Sequence, residues 1–339
     1  MKLFLSLRIV KMKFNLITLF CLLLFYIPLS AQTLKGRVID AKTSKPLSFV
    51  NIGVKGARYG TARNSAGTFV LNVPEQHKNE VLQFSCIGFE TKEVPVHKLS
   101  SQPIIRLQPS VVPLDEVTVM PDSTLRSFLR RAARKIPENY TFSASLLTGF
   151  YRQTLQDEND ETNLRFVEVL IESYKTTYAD KKDGTVKMLK TRKYISGRDF
   201  FPSFFYGGAH IAHFDMVKDR SKVLIGHKNY DYRVLGIKSY NNRKVYKIEF
   251  FPDEKSPSTK QGRFYLDVES LAYVQVDFEN TQKGLEKRSR SFSLKGIESL
   301  KREMSIVYDQ SESGYYLKSL NYSDAFENSS RIKTNLNNS

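Results

Sequence analysis

From Ser145 to about Tyr322, apolar and polar positions alternate with period two. Tyr230, Tyr232 and Val234 alternate with Asp231 and Arg233, and Tyr246, Ile248 and Phe250 alternate with Lys247 and Glu249. Phe264, Leu266 and Val268 repeat the pattern, as do Val274, Val276 and Phe278, then Met304, Ile306 and Tyr308. Strict alternation predicts strands with one packed and one solvated face, the signature of an antiparallel sheet. Asn241-Asn242 suits a tight hairpin turn, and Ser311 to Gly314 marks another. Long meandering hairpins of this kind predict a curved sheet or half-barrel.

Just before this stretch the period changes. Leu125, Phe128, Leu129, Ala132 and Ile136 fall on one face of a helix, while Arg126, Arg130, Arg131, Arg134 and Lys135 decorate the remainder. Asp122 or Ser123 can cap its start, and Pro137 marks its stop. A helix of three or four turns without Trp is expected to dock on the sheet rather than lie on a membrane. The predicted larger domain spans 122–330, with a flexible tail over 331–339.

Residues 32–108 read differently. Short apolar segments at 36–39, 49–52, 68–73, 81–84 and 104–107 are separated by Lys45-Pro46, Gly60, Asn64 to Gly67, and Pro74. Strand-sized runs with turn signals between them, and no helix-length period, predict a small β-sandwich. Pro109, Pro113 and Pro121 punctuate a linker over 109–121. The fold class expected for the whole is mainly β.

The first 31 residues have the layout of a secretory signal peptide. Lys2, Arg8, Lys11 and Lys13 precede an apolar run from Phe14 to Leu29, and Ser30-Ala31 supplies small residues for cleavage. Met1 and Met12 both fit as the start. The run is about 16 residues, short of the ~20 of a spanning helix. Cys21 lies mid-run behind Phe20, which does not suit a lipobox. The expected location is therefore the periplasm or the outer membrane.

The 32–108 segment carries a resemblance. Gly36-Arg37-Val38-Ile39-Asp40, Lys45-Pro46-Leu47-Ser48-Phe49-Val50-Asn51-Ile52, Gly56, Gly60-Thr61, Gly67-Thr68-Phe69 and Leu82 to Glu90 follow in order. This series resembles the carboxypeptidase-like regulatory domain, a transthyretin-like β-sandwich. The resemblance implies an accessory module of the bacterial envelope, of the type found at the start of TonB-dependent outer-membrane receptors, and no peptidase activity. Leu114-Asp115-Glu116-Val117-Thr118-Val119 resembles the segment leading into the plug of such receptors. The C-terminal strand pattern, Tyr246 to Phe250 and Gly262 to Phe278, resembles the half-barrel of lipoprotein-carrier proteins.

Composition narrows the chemistry. The 339 residues carry a formal net charge of +17, or +13 once the four basic residues of the leader are removed. Such a balance favours acidic partners. The basic residues are scattered, and with no zinc-finger or RNA-binding signature a nucleic-acid partner is not expected. Two cysteines exclude a disulfide framework, and Cys86 sits in an apolar stretch as a small hydrophobe. His77-Lys78-Asn79-Glu80 has a metal-ligand spacing in a polar loop with no third ligand, and His210 and His213 form another pair with only Asp215 close by. No nucleophile elbow, phosphate loop or zinc-protease helix is present. Neither catalytic residues nor a cofactor is expected.

The least sheet-like stretch, Tyr194 to Phe214, contains Phe200, Phe201, Phe204, Phe205, Tyr206 and Phe214, with Pro202 and Gly207-Gly208. These aromatics fit a plug filling the concave side of the sheet. They also fit a hinged lid over an apolar pocket, or a contact for a lipid or partner protein. The sequence thus supports a non-catalytic interaction or scaffold module working with an outer-membrane protein or lipid; a periplasmic carrier of a lipid or other apolar ligand is the alternative.

Overall fold

The computed structural model describes residues 32–47, 50–55, 60–62, 68–73, 75–110, 121–160, 162–180, 182, 184–197, 214–253, 255–291, 296–328 and 333–338. The expected signal peptide and most of the linker lie outside this set.

The N-terminal strands are β1 (Gln32–Asp40), β2 (Asn51–Val54), β3 (Gly60–Ala62), β4 (Thr68–Val73), β5 (Val81–Ser85), β6 (Lys92–Pro95) and β7 (Ile104–Leu107). They form two sheets, ordered β4-β1-β7 and β3-β2-β5-β6. Alternate residues of both sheets meet in one core. Leu34 and Val38 of β1, Phe69 and Leu71 of β4, and Leu107 of β7 pack against Ile52 of β2 and Leu82 and Phe84 of β5. This is the small sandwich that the pattern of short apolar runs predicts. The two strands the pattern omits, β3 and β6, are short and carry few apolar residues. Cys86 is half-buried against this core, without a disulfide.

The second region begins with α1 (Asp122–Arg134) and the short α2 (Ile136–Asn139). Strands β8 (Ser145–Asp157), β9 (Asn163–Lys175), β10 (Thr185–Ile195), β11 (Tyr230–Tyr240), β12 (Arg243–Pro252), β13 (Lys260–Asp267) and β14 (Tyr273–Asn280) follow. The order closes with α3 (Gln282–Ser291), β15 (Ile297–Ser311), β16 (Gly314–Asn328) and β17 (Lys333–Asn338). The ten strands make one open antiparallel sheet, ordered β10-β9-β8-β17-β16-β15-β14-β13-β12-β11. Asn241 and Asn242, with φ of 47° and 62°, form the β11–β12 turn in the left-handed conformation that asparagine tolerates.

The apolar stripe of α1 faces this sheet. Leu125, Phe128, Leu129 and Ala132 are buried, together with Ile136 of α2, and the Phe128 ring meets Tyr246 of β12 edge-on at 5.5 Å. Two details differ from expectation. The N-cap is Pro121, with no side-chain cap; Asp122 instead accepts a hydrogen bond from Arg126, one turn on. Pro137 does not end the helical region but sits in the first turn of α2, where its missing N–H has no helical partner to lose.

The tail expected over 331–339 is a correction. Lys333–Asn338 is β17, an interior strand pairing with β16 on one side and β8 on the other. Its Asn-rich sequence has no strand pattern. Two unpaired strand edges supply backbone partners on both sides, and that overrides weak side-chain propensity. Helix α3 was likewise not legible, because its sequence is almost wholly polar. It is held by Arg288, which donates to the buried carboxylate of Asp324 at 3.0 Å.

The sandwich rests on the β11–β12 hairpin. The Gly88 amide donates to the Ser239 carbonyl at 2.9 Å, Ile87 packs against the large core, and Asn51 and Ser85 hydrogen-bond the Tyr240 hydroxyl. Asp277 of β14 accepts from Ser305 of β15 at 2.6 Å and from Gln275 at 2.8 Å. Arg263 of β13 and Lys247 of β12 are the cations facing it. Desolvation outweighs these partners and pushes the carboxyl up to about 6, from 3.8. The folded chain therefore holds a proton that the unfolded chain releases, and stability falls as pH rises from about 4 to 6. Asp277→Asn removes this slope. Its stability relative to wild type, read by urea unfolding, should improve by roughly 1–2 kcal/mol between pH 4 and pH 7.5. An unchanged difference would contradict the assignment.

Candidate functional site

Of the six aromatic residues singled out by sequence, Phe200, Phe201, Phe204, Phe205 and Tyr206 lie outside the described residues. Phe214 is half-buried and packs on the large core, with the Lys260 ammonium 5.7 Å from its ring. The chain enters this segment from β10, where the Ser196 amide donates to the Leu164 carbonyl at 2.8 Å. It leaves at Asp215. His210 and His213 are also outside the described set. His77 Nδ1 meets Glu80 Oε1 at 3.0 Å, and no cluster of three metal-ligating side chains occurs among the described residues.

Asp215 is fully buried, and its carboxylate gathers four donors. Tyr178 and Tyr308 donate their hydroxyls at 2.7 and 2.8 Å, the Lys218 amide at 3.1 Å and Lys175 Nζ at 3.3 Å. Tyr308 in turn accepts from the Val217 amide at 3.2 Å. Lys218 Nζ donates to the carbonyls of Thr176, Thr177 and Asp180. The Tyr140 ring packs on Tyr178 and Tyr308, and its hydroxyl donates to the Tyr273 carbonyl at 2.7 Å. Tyr273 donates to the Leu224 carbonyl at 2.6 Å. Burial first, then the nearby Asp215 charge, hold Tyr178 and Tyr308 well above the ordinary tyrosine range. These hydroxyls stay protonated as donors. A carboxylate so satisfied and so remote from solvent is a structural knot, not a general base.

This knot fastens residues 214–224 to the sheet. Met216, Val217, Val223 and Leu224 join α1, α2 and side chains of β11 to β16 in one core. In its described part, this core is filled by the chain's own aromatic residues, including Phe250, Phe264, Tyr273 and Phe278.

The other wing of the sheet differs. Nine of the twelve large apolar side chains exposed among the described residues lie between Phe142 and Ile195. Leu146 faces Tyr174, and Phe150 faces Leu170, on one side of the β8–β9 pair, with Thr148 opposite Glu172 between them. Their exposures are 64%, 44%, 55% and 39%, with Phe142 beside them in sequence at 71%. Glu168 bounds this square; it accepts from Arg152 at 2.9 Å and from Arg192 at 2.9 Å. The opposite face carries its own small core of Tyr151, Val167, Val169 and Ile171. The edge strand β10 is exposed along its length, bears Lys187, Lys190, Arg192 and Lys193, and is bulged between Met188 and Lys190. Lysines and a bulge are ordinary protection against edge-to-edge pairing. The apolar square on β8–β9 has no such explanation. Its signal in the sequence is that both phases of these strands are apolar, as in Phe166-Val167 and Val169-Leu170.

Comparison with known proteins bears on the sandwich. Residues 34–119 match the family model of the CarboxypepD_reg-like domain. That domain is regulatory and non-catalytic. The TonB-dependent receptor P3 of Formosa agariphila is 30% identical over 101 residues, covering 30% of this chain and 10% of the receptor. The chain thus spans about a tenth of the length of that relative. Among solved structures, a putative outer membrane lipoprotein-sorting protein domain from Vibrio parahaemolyticus is similar at 15% identity and a TM-score of 0.26. It covers 62% of this chain and 89% of that one. A LolA superfamily protein from Nitrosomonas europaea aligns at 12% identity and 0.23, covering 62% and 91%. Scores of this size carry no argument about what the large sheet does.

The knot makes a direct prediction. Asp215→Ala strands two tyrosine hydroxyls, the Lys175 ammonium and the Lys218 amide, and should cost roughly 3–5 kcal/mol in urea unfolding. Tyr308→Phe, which removes one donor, should cost about 1–2 kcal/mol. Equal, small losses for both would show that the carboxylate is not the centre of the network.

Proposed function

We propose that the protein is a non-catalytic envelope module that docks a protein of the outer membrane. The observation that carries this reading is the apolar square of Leu146, Phe150, Leu170 and Tyr174, exposed on rigid strands rather than on a loop. Large apolar side chains exposed in two cross-strand pairs on a stable sheet mark an interaction surface, with Thr148 and Glu172 between them as polar contacts, and aromatic anchors lose little entropy on binding. The CarboxypepD_reg-like sandwich and its likeness to part of a TonB-dependent receptor support an envelope role. The signal-like N-terminus supports export to the periplasmic side.

The carrier alternative needs an internal apolar cavity. The described core between α1 and the sheet holds side chains instead, which favours the docking reading.

A photo-crosslinking residue at Phe150 in living cells is the test, with Val70 on the sandwich as the control position. The expected result is an adduct with one outer-membrane protein at Phe150 and none at Val70. Phe150→Asp, at an exposed position, should leave stability within about 0.5 kcal/mol and abolish the adduct formed by a probe at Leu146. Adducts with lipid alone would favour the carrier reading.

A further inference from the structure

A second surface lies at the far side of α1. The groove between this helix and residues 225–228 has a volume of about 500 Å³ and is lined by Arg130, Ala133, Arg134, Ile225, Gly226, His227 and Lys228. Four of the seven are basic or can become so, and none is acidic. Arg130, Arg134 and Lys228 have no carboxylate partner among the described residues, unlike Arg126, which pairs with Asp122 and Asp231. Arg130 and Arg134 stand one helical turn apart, where like charges repel. The C-terminal end of α1 favours both cations, but it does not account for Lys228 and His227 across the groove.

The far wall is fixed before any ligand arrives. Gly226 has a φ of 65°, and a side chain there would come within 2.7 Å of the Arg126 carbonyl. Arg126 donates to the His227 carbonyl at 2.9 Å, and Tyr273 holds the Leu224 carbonyl. The Asn229 amide donates to His227 Nδ1 at 3.1 Å, which leaves Nε2 as the protonated nitrogen. Desolvation, then Lys222, Lys228 and Arg126, hold this imidazole below its ordinary range, as an uncompensated positive field would. The surface of the groove is almost wholly apolar, with Ala133 and Ile225 in its lining, so the charged ends stand at its rim.

We infer that this groove is a binding site for a phosphate-bearing anion, with Arg130, Arg134 and Lys228 as the charged contacts and His227 Nε2 as a neutral donor. Guanidinium forks match phosphate oxygens bidentately, and the apolar lining accommodates the carbon next to a phosphate ester. A phospholipid headgroup and a soluble phosphate share this chemistry. The inference does not depend on the β8–β9 docking surface, which lies on other strands.

The test uses the mature protein and three probes: phosphatidylglycerol-containing vesicles, neutral phosphatidylcholine vesicles and inorganic phosphate. The variants are Arg130→Gln/Arg134→Gln/Lys228→Gln in the groove and Lys187→Gln/Lys190→Gln/Lys193→Gln on β10, which remove equal charge. All six residues are surface side chains, and circular dichroism checks that both variants fold. The groove variant should bind the anionic probe about a hundredfold more weakly, while the β10 variant binds within a few-fold of wild type. Wild-type binding should weaken as salt is raised. Binding to anionic vesicles alone identifies a lipid headgroup; competition by inorganic phosphate at equal phosphate concentration identifies a soluble ligand. Equal losses in the two variants, or no binding of either anionic probe by wild type, overturns the inference.

Discussion

The Asp215 carboxylate is the constraint on which the second region depends. A buried charge is costly unless every lone pair has a donor, and here two tyrosines, a lysine and a backbone amide supply them. Those donors come from β9 and its following turn, from β15, and from the loop after the aromatic segment. The single group therefore ties distant parts of the chain to one point. Tyr140 and Tyr273 extend the tie to α2 and β14, and Leu224 carries it to the wall of the basic groove. Breaking it would free residues 214–224 and loosen α1.

In its described part the core under α1 is filled by side chains. Two surfaces remain with features that packing does not explain. One is apolar and lies on β8–β9; the other is cationic and lies between α1 and residues 225–228. They differ in chemistry as they differ in position. The first suits a protein partner that buries aromatic anchors, the second an anion. A net charge of +17 is thus not spread evenly in its consequences. Many of the described basic residues are paired, edge-protecting or solvated, whereas the groove brings Arg130, Arg134 and Lys228 together.

Much of the fold was legible in the sequence because strong patterns coincided with strong constraints. The β11–β12 hairpin combines clean alternation with Asn241-Asn242, and both signals agree. The face of α1 could be read residue by residue from its 3.6 period. The sandwich rested on short apolar runs and on an ordered family resemblance. What failed was decided by partners distant in sequence. β17 is a strand because β8 and β16 leave a gap for it, not because Lys-Thr-Asn-Leu-Asn-Asn prefers one. α3 is placed by Arg288 and Asp324, 36 residues apart. The candidate sites were harder still. Asp215 was one acid among 35, and its importance comes from tyrosines far along the chain. The square on β8–β9 was hidden because alternation tells that a strand has two faces, not which of them is covered. Of the aromatic residues singled out, only Phe214 is described, and it packs inward.

Native-state hydrogen exchange tests the central claim that residues 214–224 are a fixed wall over a filled interior. The amides of Val217, Lys218, Ser221 and Leu224 all have acceptors within this knot or loop. If the account is right, they exchange with the same free energy as the core amides of β13 and β14, through unfolding of the whole region. Exchange through a separate local opening, several kcal/mol easier than that of the sheet, would make this segment a lid and return the concave side to the candidates for binding.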